Sequence, residues 1–288
     1  MVQRPAVLAA VPTPFDENGE VDLVAVRQRV TALAGVVDGV FVAGPEGEFP
    51  ALDDHERTDL AVIALAAAGR DAVMVHTGAP SARQAVELTR RAVRRGARRF
   101  AAVTPYFYRS PLSRIVDYYR DIRSAAGDGE LHARVDPEHT GADLGPDDVA
   151  WIVARADLNG VLLGGSAAAR LAEFRAALPA DVRLYAAGDV ALPRVAADGG
   201  TGVVSGVAAV FPEAYRRLAD AIAEGDAERV HELGARLDGL AGVAGASVAH
   251  LKMAQSLRGW SLADVRAAVA PVDAETISAL GKYIADLG

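Results

Sequence analysis

Eight short apolar runs punctuate the chain, and between them apolar positions recur at spacings of three and four. The runs are Ala6–Val11, Gly39–Ala43, Ala72–His76, Phe100–Thr104, Leu131–Val135, Gly160–Leu163, Arg183–Ala187 and Gly202–Val207. They are rich in Val, Ala and Leu, as parallel strands buried on both faces must be. The segments between them read as helices. Leu23, Val26, Val30 and Leu33 follow Asp22, a good N-cap, and Leu112, Ile115, Tyr119 and Ile122 repeat the spacing. Ser81 is placed to cap a helix that runs to Gly96, and Gly145-Pro146 opens another with proline in its first turn. Eight strand–helix alternations predict an α/β fold, a closed (β/α)₈ barrel with right-handed crossovers. A doubly wound sheet is the alternative, but no Gly-x-Gly-x-x-Gly follows the first run.

Beyond the eighth run only helical sequence remains: Glu213–Ile222, Glu228–Leu240, Val248–Leu257, Leu262–Val269 and Ala274–Leu287. The expected organisation is a barrel over residues 1–222 and a C-terminal helical extension over residues 223–288. The two pack as one structural unit, since no low-complexity linker divides them.

Composition narrows the function. A length of 288 residues suits one barrel with an appendage, or two ordinary domains, and 51% hydrophobic residues can fill a large core. A formal net charge of −8 without a basic block argues against nucleic acid or an anionic membrane as a main partner. The absence of cysteine excludes disulfides, thiolate nucleophiles and Cys-ligated zinc or iron–sulfur clusters. The first residues lack a signal peptide's apolar core, and no apolar run is long enough to span a bilayer, so a cytoplasmic location is expected. Of the 30 basic residues only Lys252 and Lys282 are lysines, both near the C-terminus. A barrel without lysine cannot perform lysine chemistry.

The motifs along the chain resemble those of the dihydrodipicolinate synthase and N-acetylneuraminate lyase family. Thr13-Pro14-Phe15, Gly19, Asp22 and Gly39 resemble its opening strand and helix. Gly44-Pro45-Glu46-Gly47-Glu48, followed by Leu52, Glu56 and Arg57, is similar to its Gly-Thr-Thr-Gly-Glu signature and the helix behind it. Thr104-Pro105-Tyr106-Phe107 is similar to its Thr-Pro-Tyr-Tyr, and Val135-Asp136-Pro137-Glu138-His139-Thr140-Gly141 to its Asn-Val-Pro-Gly-Arg-Thr-Gly. Gly188-Asp189 resembles its Gly-Asp, and Gly202–Val207 with Pro212 its last strand. The resemblance covers essentially the whole chain, helical tail included.

The resemblance implies a lyase scaffold on which 2-oxo-acid aldolases, lyases and dehydratases are built. In the family a strand-six lysine forms an imine that serves as electron sink, a strand-five tyrosine relays protons, and paired threonines hold the substrate carboxylate. Here the lysine's place falls on Leu162 and the tyrosine's on Arg134, which is always protonated and cannot shuttle a proton. The threonines become Pro45, which lacks a backbone donor, and Glu46, which opposes a carboxylate. The second tyrosine becomes Phe107, flanked by Tyr106 and Tyr108, and the family's arginine becomes His139. Imine chemistry is therefore expected to be lost, and the catalytic residues are unknown.

What replaces that chemistry is a polar cluster. Alternation along a strand would put His132, Arg134 and Asp136 on the barrel-facing side, with Glu46 approaching from the end of the second strand and His139 from a loop. Two readings stand side by side. In one, Arg134 clamps an anion while Glu46 or Asp136 acts as base; in the other, Glu46 and Arg134 only neutralise each other in a silent barrel mouth. The candidate ligand-binding residues are thus Pro45, Glu46, Tyr106, Phe107, Arg134, Asp136, His139, Leu162 and Ser205, the last placed to line the pocket from the eighth strand.

His76, His132, His139, Glu46, Glu48 and Asp136 have ligating chemistry, but no His-x-His or His-x-x-x-His spacing occurs and Arg134 would repel a cation; neither metal nor cofactor is expected. Glu48 is expected to orient backbone N–H groups, Asp189 to cap a helix, Lys252 to serve a surface or packing role, and Lys282 to be a solvated helix residue. The expected function is binding of a small oxygenated or carboxylic acid metabolite by a divergent member of the family, on a scaffold whose reaction type is C–C or C–O lysis. The alternative is a non-catalytic homologue with a binding or partner-stabilising role. From the resemblance a homo-oligomer, dimer or tetramer, is also expected.

Overall fold

The computed structural model describes residues 3–188, 191–261 and 264–287. Its first half alternates strand β1 (Ala6–Ala10), helix α1 (Leu23–Leu33), β2 (Gly39–Val42), α2 (Asp54–Ala68), β3 (Val73–His76), α3 (Ala82–Arg94), β4 (Arg99–Val103) and α4 (Leu112–Ala126). The second half continues with β5 (Glu130–Val135), the single turn α5 (Pro137–Thr140), α6 (Pro146–Ala156), β6 (Gly160–Leu163), the single turn α7 (Gly165–Ala168) and α8 (Leu171–Ala177). β7 (Arg183–Ala187), α9 (Leu192–Ala197), β8 (Gly202–Ser205), α10 (Gly206–Val210) and α11 (Pro212–Glu224) complete the ring. α12 (Ala227–Ala244), α13 (Val248–Leu257) and α14 (Ala274–Leu287) form the C-terminal extension.

All eight strands are parallel, each pairs with its sequence neighbours, and β8 returns to β1, where Ala6 opposes Gly202, so the sheet closes into a barrel. Side-chain alternation sorts the strands into two cores. Leu8, Ala10, Phe41, Met74, Ala101, Leu162, Tyr185, Ala187 and Val204 fill the barrel interior. Their sequence neighbours Val7, Ala9, Val40, Val42, Val73, Val75 and Leu163 face the helices. This two-faced burial is why the strands read as continuous apolar runs.

Local chemistry sets the helix starts. Asp22 accepts from the N–H groups of Val24 and Ala25 at 3.0 and 2.9 Å. Ser81 caps α3, and Pro146 begins α6 while Asp148 reaches back to the Gly145 N–H at 3.0 Å. Asp53 and Glu56 form a reciprocal capping box on α2 that the sequence reading passed over.

Two expectations need correction. β8 ends at Ser205, and Gly206 and Val207, expected to finish the strand, instead open α10. Leu262–Val269 was expected to be helical, but residues 264–269 are irregular. Their backbone donors go elsewhere: the N–H groups of Arg266 and Ala267 both bond Glu48 Oε2, at 2.8 and 2.7 Å. Asp189, expected to cap a helix, lies outside the described residues. No described helix is long and apolar enough to cross a membrane.

Candidate functional site

A cavity of about 760 Å³ lies at the C-terminal ends of the strands, between the barrel mouth and the extension. Its barrel side includes Pro45, Glu46, Val103, Arg134, Asp136 and His139. Its roof comes from the α12–α13 junction and α13, through Gly245, Ser247, Val248 and Leu251, and from the irregular segment Arg266–Val269. Sequence reasoning missed the roof, because nothing local in residues 245–269 distinguishes a pocket wall from packed helix.

The polar cluster is built on β5 and the turn behind it. Arg134 is 3% exposed and is a register neighbour of Leu162 on β6. Its Nη2 donates to Glu46 Oε1 at 3.2 Å and to Asp136 Oδ2 at 3.1 Å, and its Nε donates to the same Asp136 oxygen at 3.3 Å. Burial opposes the guanidinium charge, but Glu46 and Asp136 outweigh it and hold the pKa above the ordinary arginine value. Asp136 turns its other oxygen, Oδ1, to His139 Nδ1 at 2.7 Å. Burial pushes the Asp136 carboxyl up, yet the bonds from His139 and Arg134 prevail and hold it below the usual aspartate range. The same bond, made by Asp136, raises His139 above the ordinary imidazole value.

Pro137 opens the turn and Thr140 Oγ1 donates to the Asp136 carbonyl at 2.9 Å, which puts Asp136 and His139 three residues apart on one side of it. Gly164, just past β6, makes room: a Cβ there would lie 2.5 Å from Asp136 Oδ2. His139 is an element of a short helix rather than of a loop, and 69% of its side chain is exposed while Asp136 is 2% exposed. His139 Nε2 has no hydrogen-bond partner among the described residues, nor do the buried Arg134 Nη1 and Glu46 Oε2.

Four other candidates fall away from the cavity lining. Leu162 is fully buried in the barrel interior with Met74, Ala101 and Tyr185. Ser205 caps α10 by accepting from the Ala208 N–H at 3.0 Å and also donates to Tyr215 Oη at 3.3 Å, so it is committed to the barrel wall. Tyr106 packs edge-on against Phe49, with ring centroids 5.9 Å apart. Phe107 is 85% exposed and takes a left-handed φ of 78°, with Tyr108 beside it.

Other buried polar groups, outside the cavity lining, bond backbone carbonyls. Arg57, buried, donates through Nη2 to the carbonyls of His76 and Gly78, both at 3.0 Å, and burial pulls it down to about 10. Burial, then the charges of Arg57 and Arg134, hold His76 neutral, well below the imidazole range. His132 points its Nδ1 at the Phe100 carbonyl, 3.2 Å away, and burial lowers it to about 4. The histidines thus sit in separate networks, and among the described residues no group of three or more acidic, histidine or cysteine side chains is disposed to hold a metal.

Lys252 is not a surface residue. It is fully buried, with Nζ 2.6 Å from Glu48 Oε1, 2.7 Å from the Asp264 carbonyl and 3.9 Å from the centre of the Phe15 ring. Burial pulls its pKa below the ordinary lysine range against the attraction of Glu48. Glu48 does orient backbone N–H groups, but those of Arg266 and Ala267, some 218 residues away in sequence. Arg266 completes the latch through Glu56, 2.7 Å away, and the Gly19 carbonyl at 2.8 Å.

Comparisons with known proteins are decisive on ancestry. The model of the dihydrodipicolinate synthetase family matches residues 4–287. The chain belongs to that family. A 4-hydroxy-tetrahydrodipicolinate synthase of Parasynechococcus marenigrum is 30% identical over 286 residues, covering 98% of this chain and 94% of that protein. An uncharacterised DapA-like lyase of Halobacterium salinarum is 32% identical, covering 98% and 93%. Among solved structures, YagE of E. coli K12, in complex with pyruvate, superposes with a TM-score of 0.90 at 22% identity over 99% of both chains. A catalytic-lysine mutant of Ruminococcus gnavus sialic acid aldolase gives 0.90 at 19% identity, covering 99% of this chain and 96% of that one. The barrel and its helical cap are therefore the family's fold, and homology is to family lyases.

Proposed function

We propose that this protein is a divergent member of the dihydrodipicolinate synthetase family that binds a small oxygenated metabolite, neutral or acidic, at the barrel mouth without imine chemistry. The observation that carries this reading is the neighbouring pair Arg134 and Leu162, at the positions that resemblance assigns to the proton-relaying tyrosine and the imine-forming lysine. Leu162 offers only an alkyl chain, and Arg134 is locked between two carboxylates. Neither lysine substitutes: Lys252 is engaged by Glu48 and the Asp264 carbonyl, and Lys282 is on α14 of the extension. Retention of binding is supported by the cavity itself, whose volume suits a small metabolite and whose walls combine apolar surface with a few polar groups.

A second reading, a non-catalytic homologue that acts through a partner, draws support from the closure of Glu46, Arg134 and Asp136 on one another. Saturation-transfer NMR separates the two. Pyruvate, glycerate and glyceraldehyde would be screened against the wild type and against Ala246→Trp, which adds bulk to the cavity wall. Binding of at least one compound, lost in the variant, is the expected result. Absence of binding by all three would favour the non-catalytic homologue.

A further inference from the structure

The Asp136–His139 pair has the construction of a base held ready. Both oxygens of Asp136 are engaged, Oδ2 by Arg134 Nε and Nη2 and Oδ1 by His139 Nδ1 at 2.7 Å, so the carboxylate cannot turn. A proton on Nδ1, donated to Asp136, leaves the lone pair of the neutral ring on Nε2. That nitrogen has no partner among the described residues, and the ring lines the cavity. Gly164 adds an independent sign of fit, since any side chain there would collide with Asp136 Oδ2.

We propose, resting on the binding reading above, that His139 is a general base acting on a neutral hydroxy-ketone or hydroxy-aldehyde. The charges nearby select that class. Glu46 from the β2 end and Asp136 outnumber Arg134 when His139 is neutral, which disfavours a carboxylate at the reacting end. Glu138, the next acidic group, is engaged by the Ser166 N–H at 2.9 Å. A carbonyl and an adjacent hydroxyl supply the acceptor that Arg134 Nη1 lacks and the donor that Glu46 Oε2 lacks. In the step, the C–H bond beside the carbonyl breaks and its proton passes to His139 Nε2. The electron pair moves into the carbonyl, giving an enolate whose oxygen faces the Arg134 charge. Return of a proton to the same carbon completes exchange; return to the former carbonyl carbon, with the adjacent hydroxyl's proton passing to the enolate oxygen, completes isomerisation, and no co-reactant is consumed. Asp136 is a positioning residue, acting through His139.

Deuterium uptake tests this without knowledge of the natural ligand. Dihydroxyacetone and glyceraldehyde in D₂O are followed by ¹H NMR with and without enzyme, and binding of each is measured by saturation transfer in the same samples. Wild-type protein is expected to exchange at least one of them, and His139→Asn to exchange it about 100-fold more slowly while still binding it. Asp136→Asn should move the pH profile of exchange toward lower pH, because His139 loses the partner that raises its pKa. Nitrogen-15 shifts of wild-type His139 should report the Nδ1–H tautomer. Binding without exchange, undiminished exchange in His139→Asn, or the Nε2–H tautomer would overturn the base while leaving the binding reading intact. Failure of both compounds to bind would overturn the base with its substrate class, and the binding reading would fall separately only if the oxygenated acids also fail.

Discussion

Lys252→Met should destabilise the protein more than a change far from the barrel's strands ordinarily would. Methionine preserves the length of the apolar stem and removes the ammonium. Lost with it are the 2.6 Å pair with Glu48, the 2.7 Å bond to the Asp264 carbonyl and the cation stacked 3.9 Å from the Phe15 ring centre. Both ionic side chains are 1% exposed, so water cannot replace the missing charge. Removing one partner of such a pair costs about 3–5 kcal/mol, chiefly because the other charge stays buried. Glu48 keeps two backbone N–H partners, which places the expected loss toward the lower end, about 3 kcal/mol. Equilibrium urea unfolding of wild type, Lys252→Met, Glu48→Gln and the double variant measures it. The double variant should lose about 2 kcal/mol less than the two single losses added together. Because Glu48 holds residues 266–267 against the cavity, Lys252→Met should also weaken ligand binding. A loss below about 1 kcal/mol in Lys252→Met, or additivity within about 0.5 kcal/mol, would refute the buried latch.

Four further outcomes can be checked. Gly164→Ala should displace Asp136 and cost about 1–3 kcal/mol in denaturant unfolding, whereas Gly242→Ala, with open space at its Cβ, should not. The stability difference between wild type and His139→Asn should peak between about pH 4 and 6.5: the raised pKa of His139 makes its contribution fully present below about 6.5 and lost as pH rises through the folded value, while the lowered pKa of Asp136 keeps its share above about 4 and loses it as pH falls; melting curves at pH 3, 5 and 8 measure it. Leu162→Lys should not restore aldol or lyase turnover with pyruvate, because Arg134 cannot relay a proton and Glu46 still opposes a carboxylate, and a coupled pyruvate-release assay would register any gain. Sedimentation velocity at micromolar concentration should show a dimer or tetramer, with the exposed Phe107–Tyr108 pair at the contact, and Phe107→Asp should shift the distribution toward monomer.

The barrel was legible because its strands are buried on both faces, which leaves unbroken Val- and Ala-rich runs. The same property blurred the end of β8: Val207-Ala208-Ala209-Val210 is equally apolar as strand or as buried helix, and only the Ser205 cap resolves it. The irregular stretch at 264–269 failed for a non-local reason, since the donors a helix would need are taken by Glu48. The ion pair of Lys252 was hidden for the same reason, its partner lying some 200 residues earlier with no local sign of the pairing. Within the site, the facing of Glu46 and Arg134 followed from strand register, and the share of Asp136 between Arg134 and His139 did not. Its only trace was the spacing Asp136-Pro137-Glu138-His139, an N-cap position, a first-turn proline and a residue one turn on. Leu162 and Ser205 lie off the cavity surface, because Leu162 packs into the barrel interior with Met74, Ala101 and Tyr185 and Ser205 is held by the cap it makes on α10.

The proposed loss of imine chemistry is tested most directly by trapping. Wild-type protein is incubated with pyruvate and borohydride, and its intact mass is compared with that of protein treated with borohydride alone. We expect identical masses, because Leu162 carries no nucleophile and Lys252 is held by Glu48 and the Asp264 carbonyl. A reduced pyruvyl increment, mapped by peptide analysis to Lys252 or to any barrel residue, would contradict the central claim.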